Sequence, residues 1–228
     1  MMSQRFKSVN AVTVFAMSSN RSRRRRPRKK SHNKQIILCV TMLAVIVTVV
    51  VVYTMWNSNQ DNPNGNTQKT KVLLETSMGN ITIELRDDMP ITTANFINLT
   101  QTGIYDGTTF HRVVNLPDNL VIVQGGDPNG NGVSDDSIPN IVDEYSENPE
   151  NNENKRGTVA MAKTSAPNSA SSQFFINGAY NSHLDNNYSV FGDVIDGMDV
   201  VDAILSVDTD SDNRPLEDVT LFKASVIK

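Results

Sequence analysis

The chain has a single cysteine, Cys39, among its 228 residues, so no disulfide can form within it. Any folded part must therefore be stabilised by its hydrophobic core alone. Acidic residues are absent from residues 1–34, which hold 11 of the 21 lysines and arginines. Residues 57–228 hold the other 10 and all 25 acidic residues, a net charge of −15. Because such a charge repels phosphates, this part is not expected to bind nucleic acid.

A long uncharged stretch follows the basic residues. Residues 36–53 read IILCVTMLAVIVTVVVVY, without charge, proline or glycine. As a helix rising 1.5 Å per residue, residues 35–56 are long enough to cross about 30 Å of hydrocarbon. Tyr53 and Trp56 lie where interfacial aromatic side chains are expected. We predict one transmembrane helix over residues 35–56, with a cleaved signal peptide and a buried core helix as the alternatives.

The charges around this stretch predict its orientation. RSRRRRPRKK at 21–30 precedes it, and no positive charge follows until Lys69. By the positive-inside rule, residues 1–34 form a cytoplasmic tail and the C-terminal part lies outside the cytoplasm. The arginine run could also contact anionic lipid, whereas without interleaved aromatics it is weak support for nucleic-acid binding. Residues 57–70, NSNQDNPNGNTQKT, are predicted to be a polar flexible linker.

From residue 71 the pattern is typical of a β-rich domain. A hairpin is predicted from two β-prone runs, 72–76 and 80–85, with a turn at Met78 and Gly79. A helix should begin at Pro90 and end near Gly103. Further strands are predicted at 108–114, 120–124, 157–162, 173–177, 189–194 and 219–226, and a second helix at 199–205. Without an alternating βαβ order, this favours a mainly antiparallel barrel or sandwich.

Local motifs allow a more specific interpretation. FHR at 110–112, QGGDP at 124–128, GTVAMA at 157–162, SSQFFI at 171–176 and VFGDVIDGMDVV at 190–201 follow one another in this order. Together they closely resemble the cyclophilin family of peptidyl-prolyl cis-trans isomerases, and the resemblance covers residues 72–228. It implies a closed eight-stranded antiparallel barrel capped by two helices, spanning residues 71–228 here. It also implies proline-containing polypeptides as partners, and we expect the domain to be monomeric.

Isomerisation makes no demand for a nucleophile, metal or cofactor. Rotation of an X-Pro bond breaks amide resonance over a barrier of about 18–20 kcal/mol, and no covalent bond is formed. We therefore expect no cofactor and no metal. DPNGNG at 127–132 matches the first half of an EF-hand loop, but Ile138 stands where the loop needs glutamate and no flanking helices are evident.

The resemblance also implies roles for individual residues. Arg112 matches the arginine that bonds the substrate near the prolyl nitrogen, and Gln124 the glutamine that orients it. Gln173 and Ala162 match positions that meet the substrate backbone. The proline slot would be lined by Val121, Ile122, Phe175 and Leu184, with Tyr188 at its mouth. Without the resemblance, Arg112 would be read as a surface ion-pairing residue and the slot residues as ordinary core. Phe174 is assigned to the core, and His111 to a structural role.

The sequence departs from the family pattern between Arg112 and Gln124. The segment VVNLPDNLVIV is longer than in the common eukaryotic form, and Val121 stands where a phenylalanine is usual. Leu120 could substitute if the insertion shifts the register. The preferred interpretation is an isomerase that assists protein folding outside the cytoplasm. The alternatives are a non-catalytic module or membrane-tethered holdase that binds proline-containing segments, and a nucleic-acid-associated protein acting through the basic tail.

Overall fold

The structure, a computed structural model, describes residues 69–227. Those residues form nine strands and two α-helices. In chain order these are β1 (Lys71–Thr76), β2 (Gly79–Leu85), α1 (Pro90–Gln101), β3 (Thr108–Thr109), β4 (Arg112–Leu116), β5 (Leu120–Gly125), β6 (Thr158–Met161), β7 (Phe174–Asn177), β8 (Val190–Asp196), α2 (Met198–Leu205) and β9 (Thr220–Ile227). Two short 3₁₀ helices, Pro149–Asn152 and Ser182–Leu184, lie in the loops.

All nine strands belong to one antiparallel sheet, in the order β3-β9-β1-β2-β8-β6-β7-β5-β4. Its end strands, β3 and β4, are separated by only two residues in the chain, so the sheet curls back on itself. Within residues 69–227 no strand ladder joins these two ends. The fold is therefore a curled antiparallel half-barrel of nine strands with two helices, and the closed barrel of eight strands is not shown.

The extra strand arises where the chain changes partner. The sequence predicts a single strand over 108–114, but Thr108 and Thr109 pair with β9, whereas β4 pairs with β5. Phe110 and His111 lie between them and are both buried, at 1% and 7% exposure. Consecutive buried side chains break the alternation of a half-buried strand. The strand is therefore interrupted where it passes from one part of the sheet to the other.

The first hairpin and the first helix are as predicted. In the pairing of β1 with β2, Lys71 lies opposite Glu84 and Thr76 opposite Gly79, which leaves a two-residue turn. Helix α1 begins at Pro90, and Gly103, with φ of +73°, follows its end. The carboxylate of Glu144 accepts the backbone N–H groups of Ile91 and Thr92, at 3.0 and 2.8 Å. It thus satisfies donors that a helix N-terminus cannot satisfy itself.

The apolar interior has two parts. The larger packs α1 and α2 against the sheet around an aromatic cluster, in which the Phe96 ring centroid lies 5.1, 5.3 and 4.9 Å from those of Tyr105, Phe174 and Phe191. Phe174 is thus a core residue, as predicted. The smaller cluster, which we call the pocket cluster, consists of Val114, Ile122, Ala160, Phe175 and Val190. It lies beneath the candidate site.

The predicted basic tail, transmembrane span and most of the linker lie outside the described residues. Of the helices within residues 69–227, none combines the length and the apolar character needed to cross a membrane.

Gly197, which precedes α2, has φ of +90°, and a Cβ there would lie 2.3 Å from the carbonyl oxygen of Asn80. Gly107 has a similar φ of +77°, but a Cβ there would meet no atom within 4 Å. We expect Gly107→Ala to cost only the left-handed backbone strain, about 1 kcal/mol. Gly197→Ala adds a backbone clash and should cost about 2 kcal/mol more. Urea unfolding of the full-length chain measures both, and equal costs would contradict this packing.

Candidate active site

A pocket of about 160 Å³ opens on the face of the sheet formed by β4, β5 and β7. Polar and apolar side chains share its wall. The lining residues are Arg112, Leu120, Ile122, Gln124, Ala162, Lys163, Phe175, Leu184 and Tyr188. Seven of the nine predicted site residues are among them, and the other two, Val121 and Gln173, are not.

Strand register explains why these side chains meet. Arg112 pairs with Gln124 across β4 and β5, Gln124 with Phe175 across β5 and β7, and Phe175 with Ala160 across β7 and β6. Directly paired residues of adjacent strands point to the same face of a sheet. Residues that are far apart in sequence therefore form one transverse row, with a charged group at one end and apolar groups at the other.

Hydrogen bonds hold the polar end of this row. Arg112 Nη1 donates to Gln124 Oε1 at 3.1 Å, and Gln124 Nε2 donates to Gln173 Oε1 at 3.0 Å. Gln124 therefore fixes the guanidinium through its carbonyl oxygen and is itself fixed through its amide nitrogen. Gln173, only 7% exposed, lies behind Gln124 rather than in the pocket wall.

The apolar end can hold a small ring. Phe175 and Ile122 are 3% exposed and form the wall, while Leu184 comes from the 3₁₀ helix Ser182–Leu184. The Tyr188 ring meets Phe175 edge-on, with centroids 5.4 Å apart and an interplanar angle of 85°. Apolar cavities of about 150 Å³ accept benzene. The pocket is thus large enough for a proline ring.

The structure turns Val121 away from this pocket. Val121 packs in the larger core, with its Cγ1 2.7 Å from where a Cβ on Gly178 would stand. Leu120, its neighbour, points the other way and lines the pocket. The prediction of Val121 as a slot residue is therefore corrected to Leu120, because side chains alternate along β5.

Buried amide side chains fix the start of β5. Asn181 accepts the N–H of Val121 through Oδ1 and donates through Nδ2 to its carbonyl oxygen, both at 3.0 Å. Asn181 Nδ2 also donates to Asn177 Oδ1 at 2.7 Å. Such buried polar groups are costly unless they are satisfied, so they tolerate only this register. They thereby keep Leu120 and Ile122 on the pocket side.

Comparison with known proteins identifies the family. The family model described as "Cyclophilin type peptidyl-prolyl cis-trans isomerase/CLD" matches residues 71–226. The chain belongs to the cyclophilin family. It is 40% identical over 174 residues to peptidyl-prolyl cis-trans isomerase A of Dickeya dadantii, covering 71% of this chain and 87% of that protein. It is also 40% identical over 158 residues to an isomerase of Arabidopsis thaliana, covering 69% of this chain and 93% of the relative.

Solved cyclophilin structures share the fold. A cyclophilin of Cryptosporidium parvum, determined in the presence of the dipeptide Ala-Pro, superposes with a TM-score of 0.63 at 28% identity. The match covers 69% of this chain and 99% of that one. This chain is accordingly a cyclophilin-type peptidyl-prolyl cis-trans isomerase, as the motifs indicate.

Sequence reasoning did not assign Lys163 to the site of this cyclophilin. Its ammonium pairs with Asp143 at 2.6 Å, and the two side chains are only 15% and 12% exposed. Burial alone lowers the pKa of Lys163, but the bond to Asp143 and the nearby Tyr145 raise it above its usual value. Lys163 therefore stays charged beside the pocket. Its position directly after Ala162 is a sequence signal that points to the site.

His111 and Asp127 are buried and do not line the pocket. Asp127 accepts the N–H groups of Asn129 and Gly132 at 2.9 and 2.6 Å, so its carboxylate shapes the DPNGNG loop. Within residues 69–227 no group of three or more potential metal ligands is found. Neither ring nitrogen of His111 has a hydrogen-bond partner among these residues. Burial lowers the pKa of His111, with Asp127 opposing and Arg214 and Arg112 adding to the effect.

The lowered pKa of His111 predicts a pH-dependent stability. The unfolded state takes up the proton first, near pH 6.5, so the contribution of neutral His111 is complete above that pH. It is lost as the pH falls from 6.5 toward the folded-state pKa, by at most about 1.4 kcal/mol per pH unit. Urea unfolding between pH 7.5 and 5.5 should show this slope in the native chain and a smaller one in His111→Gln. The exposed His183, changed to Gln, serves as control and should keep the native slope.

Proposed function

We propose that Arg112 is the catalytic donor of this isomerase. A guanidinium offers five N–H groups in a rigid fork, and only one of them is bonded among residues 69–227, to Gln124. The others can donate to the amide that rotates. The observation that carries this proposal is that the oriented fork of Arg112 shares the wall of one pocket with apolar side chains, and that this pocket is large enough for a proline ring.

The mechanism follows from the electronic change during rotation. In the planar ground state the prolyl nitrogen shares its lone pair with the carbonyl, and twisting returns that pair to the nitrogen. A donor near the nitrogen therefore stabilises the twisted amide more than the planar one. Each 1.4 kcal/mol of this preference accelerates rotation about tenfold. Because no atom is transferred, this preference and a fixed proline ring are sufficient.

The remaining site residues would position the substrate. Ile122, Phe175 and Leu184 would enclose the proline ring, with Tyr188 at the rim. Ala162 would meet the substrate backbone, and Gln124 acts through Arg112 as a positioning residue. Gln173 was predicted to contact the substrate backbone too, but it holds Gln124 from behind and does not line the pocket. The Ala-Pro dipeptide present with the Cryptosporidium parvum cyclophilin supports proline-containing polypeptides as ligands here.

Replacing Arg112 by Ala should lower kcat/KM about 100-fold, since losing one oriented donor typically costs this much or more. Arg112→Lys keeps the charge but loses the fork, and should recover only part of the rate. NMR exchange between the cis and trans forms of a short X-Pro peptide, with catalytic amounts of the full-length chain, measures the rate. Arg156→Ala is the matched control, because that arginine pairs with Asp202 and does not line the pocket.

The same experiment tests the alternative of a non-catalytic binding module or holdase. The feature that favours this alternative is the absence of the phenylalanine that the family usually has at the position of Val121. Peptide line broadening without faster exchange in the native chain would establish binding without turnover. An unchanged rate in Arg112→Ala would remove Arg112 from the mechanism while leaving the enzyme intact.

We further propose that the cyclophilin domain is tethered to a membrane and acts outside the cytoplasm, on proteins that fold there. Residues 35–56 supply the span, and the basic residues before it supply the orientation signal. The linker of residues 57–70 gives the domain room to reach its substrates. We propose that the tethered domain works as a monomer.

Cell fractionation and protease treatment test the tether. With a C-terminal epitope, the full-length chain should remain in the membrane pellet after alkaline extraction. Protease added outside intact cells, or spheroplasts where a wall blocks access, should degrade the epitope-bearing domain, because basic residues retain the N-terminus inside. Neutralising the run at 21–30 should weaken this orientation. A shortened chain released into the soluble fraction would instead indicate cleavage of a signal peptide.

A further inference from the structure

The pocket-facing side of the β4–β5 hairpin consists of three cross-strand pairs. Arg112 faces Gln124, Val114 faces Ile122, and Leu116 faces Leu120. Because alternate residues of a strand share a face, all three pairs lie on the side of the sheet that carries the pocket. The first pair is polar and the second belongs to the pocket cluster. We call the third, Leu116 and Leu120, the outer pair.

The outer pair extends the pocket wall into solvent. Val114 and Ile122 are 2% and 3% exposed, Leu120 lines the pocket, and Leu116 is 51% exposed. A single exposed leucine on a protein surface needs no explanation. Leu116 is different in its position, because it continues an apolar wall that already belongs to the active site. The site therefore has an apolar area beyond the slot for the proline ring.

The hairpin that carries this area is held firmly. On its opposite face Asn115 Nδ2 donates to the carbonyl oxygen of Leu205 in α2, at 3.0 Å. Asn181 brackets the backbone of Val121, and the N–H of Asn119 donates to the carbonyl oxygen of Leu116 at 2.8 Å, closing the turn. An apolar surface that is already ordered loses little entropy when a ligand covers it.

Distances along the strands indicate which part of a substrate would reach the outer pair. Val114 lies beside the slot for the proline ring. Two residues along a strand span about 6.6 Å, so Leu116 lies about 6.6 Å farther along β4. An extended peptide advances about 3.3 Å per residue. We propose that Leu116 and Leu120 form a subsite for an apolar side chain one or two residues from the proline. This proposal rests on the isomerase function and on the proline occupying the pocket.

A double-mutant cycle between enzyme and peptide tests the subsite. The peptides carry Leu or Ser at each of the two positions before and the two after the proline, and the full-length chain is compared with Leu116→Ser. At one position we expect the Leu peptide to have about fivefold higher kcat/KM than the Ser peptide, mainly through KM. In Leu116→Ser this advantage should fall below about twofold. The loss of preference is the coupling expected when Leu116 and the peptide side chain are in contact.

Two further variants keep the result interpretable. Leu216→Ser removes a leucine that is 67% exposed and does not line the pocket, so it should retain the native preference. Leu116→Thr keeps a residue suited to strands, should the serine variant fold poorly, and should show the same loss of preference. Equal preferences in native and Leu116 variants at every position would overturn the subsite while leaving the isomerase intact. A native chain that accelerates exchange of none of the peptides would overturn both.

Discussion

The register between β4 and β5 is the constraint on which the site depends. In the observed pairing Arg112 meets Gln124 on the pocket face, and Val113, Val121 and Val123 face the larger core. A slip of one residue in either strand would turn its side chains to the opposite face. A slip of β4 would turn Arg112 into the apolar interior, and a slip of either strand would turn valines toward the pocket. Burying an unpaired guanidinium is prohibitive, so the core and the catalytic geometry favour the same pairing.

The position of β5 in this register is fixed from outside the hairpin. Asn181 bonds both backbone groups of Val121, Asn177 bonds Asn181, and Asn177 Nδ2 in turn donates to Thr158 Oγ1 at 2.9 Å. These side chains link the start of β5 to β7 and β6. A shift of β5 by one residue would leave several buried amides without partners, at about 1–3 kcal/mol for each unsatisfied group. The buried amides of Asn177 and Asn181 thereby help to keep Leu120 and Ile122 on the pocket face of the sheet.

The sequence predicted the element positions and most of the site, for identifiable reasons. Pro90, Gly103 and the β1–β2 turn act locally, so their effects can be read from a few residues. The site motifs placed Arg112, Gln124 and Phe175 because each is embedded in a distinctive local string. The local runs predicted a mainly antiparallel barrel or sandwich, and only the family resemblance implied a closed barrel. Closure is not shown, and it depends on pairing between distant edges that short runs do not encode.

The error at Val121 has a different origin. A family pattern indicates Val121 only across a segment of unequal length, where the alignment with that pattern loses its register. Counting by twos from Gln124 places Ile122 and Leu120 on the pocket face, and from Arg112 it places Val114 and Leu116 there. Strand alternation was thus the more reliable guide, because it follows from backbone geometry and is not affected by insertions elsewhere.

The division of the hairpin into a polar and an apolar end suits an enzyme that makes no covalent bond. Apolar side chains hold the proline ring. In the free enzyme they contain no polar group that would be left without a hydrogen-bond partner. Stabilising the twisted amide is the task of Arg112, whose donors must be oriented before the substrate arrives. Gln124 orients Arg112 by accepting only one of its five N–H groups. The side-chain amide of Gln124 in turn donates to Gln173.

A lysine at position 112 would keep the charge but lack the planar fork that permits bonds to Gln124 and to the substrate at once. The rate of Arg112→Lys relative to Arg112→Ala therefore separates the contribution of charge from that of orientation.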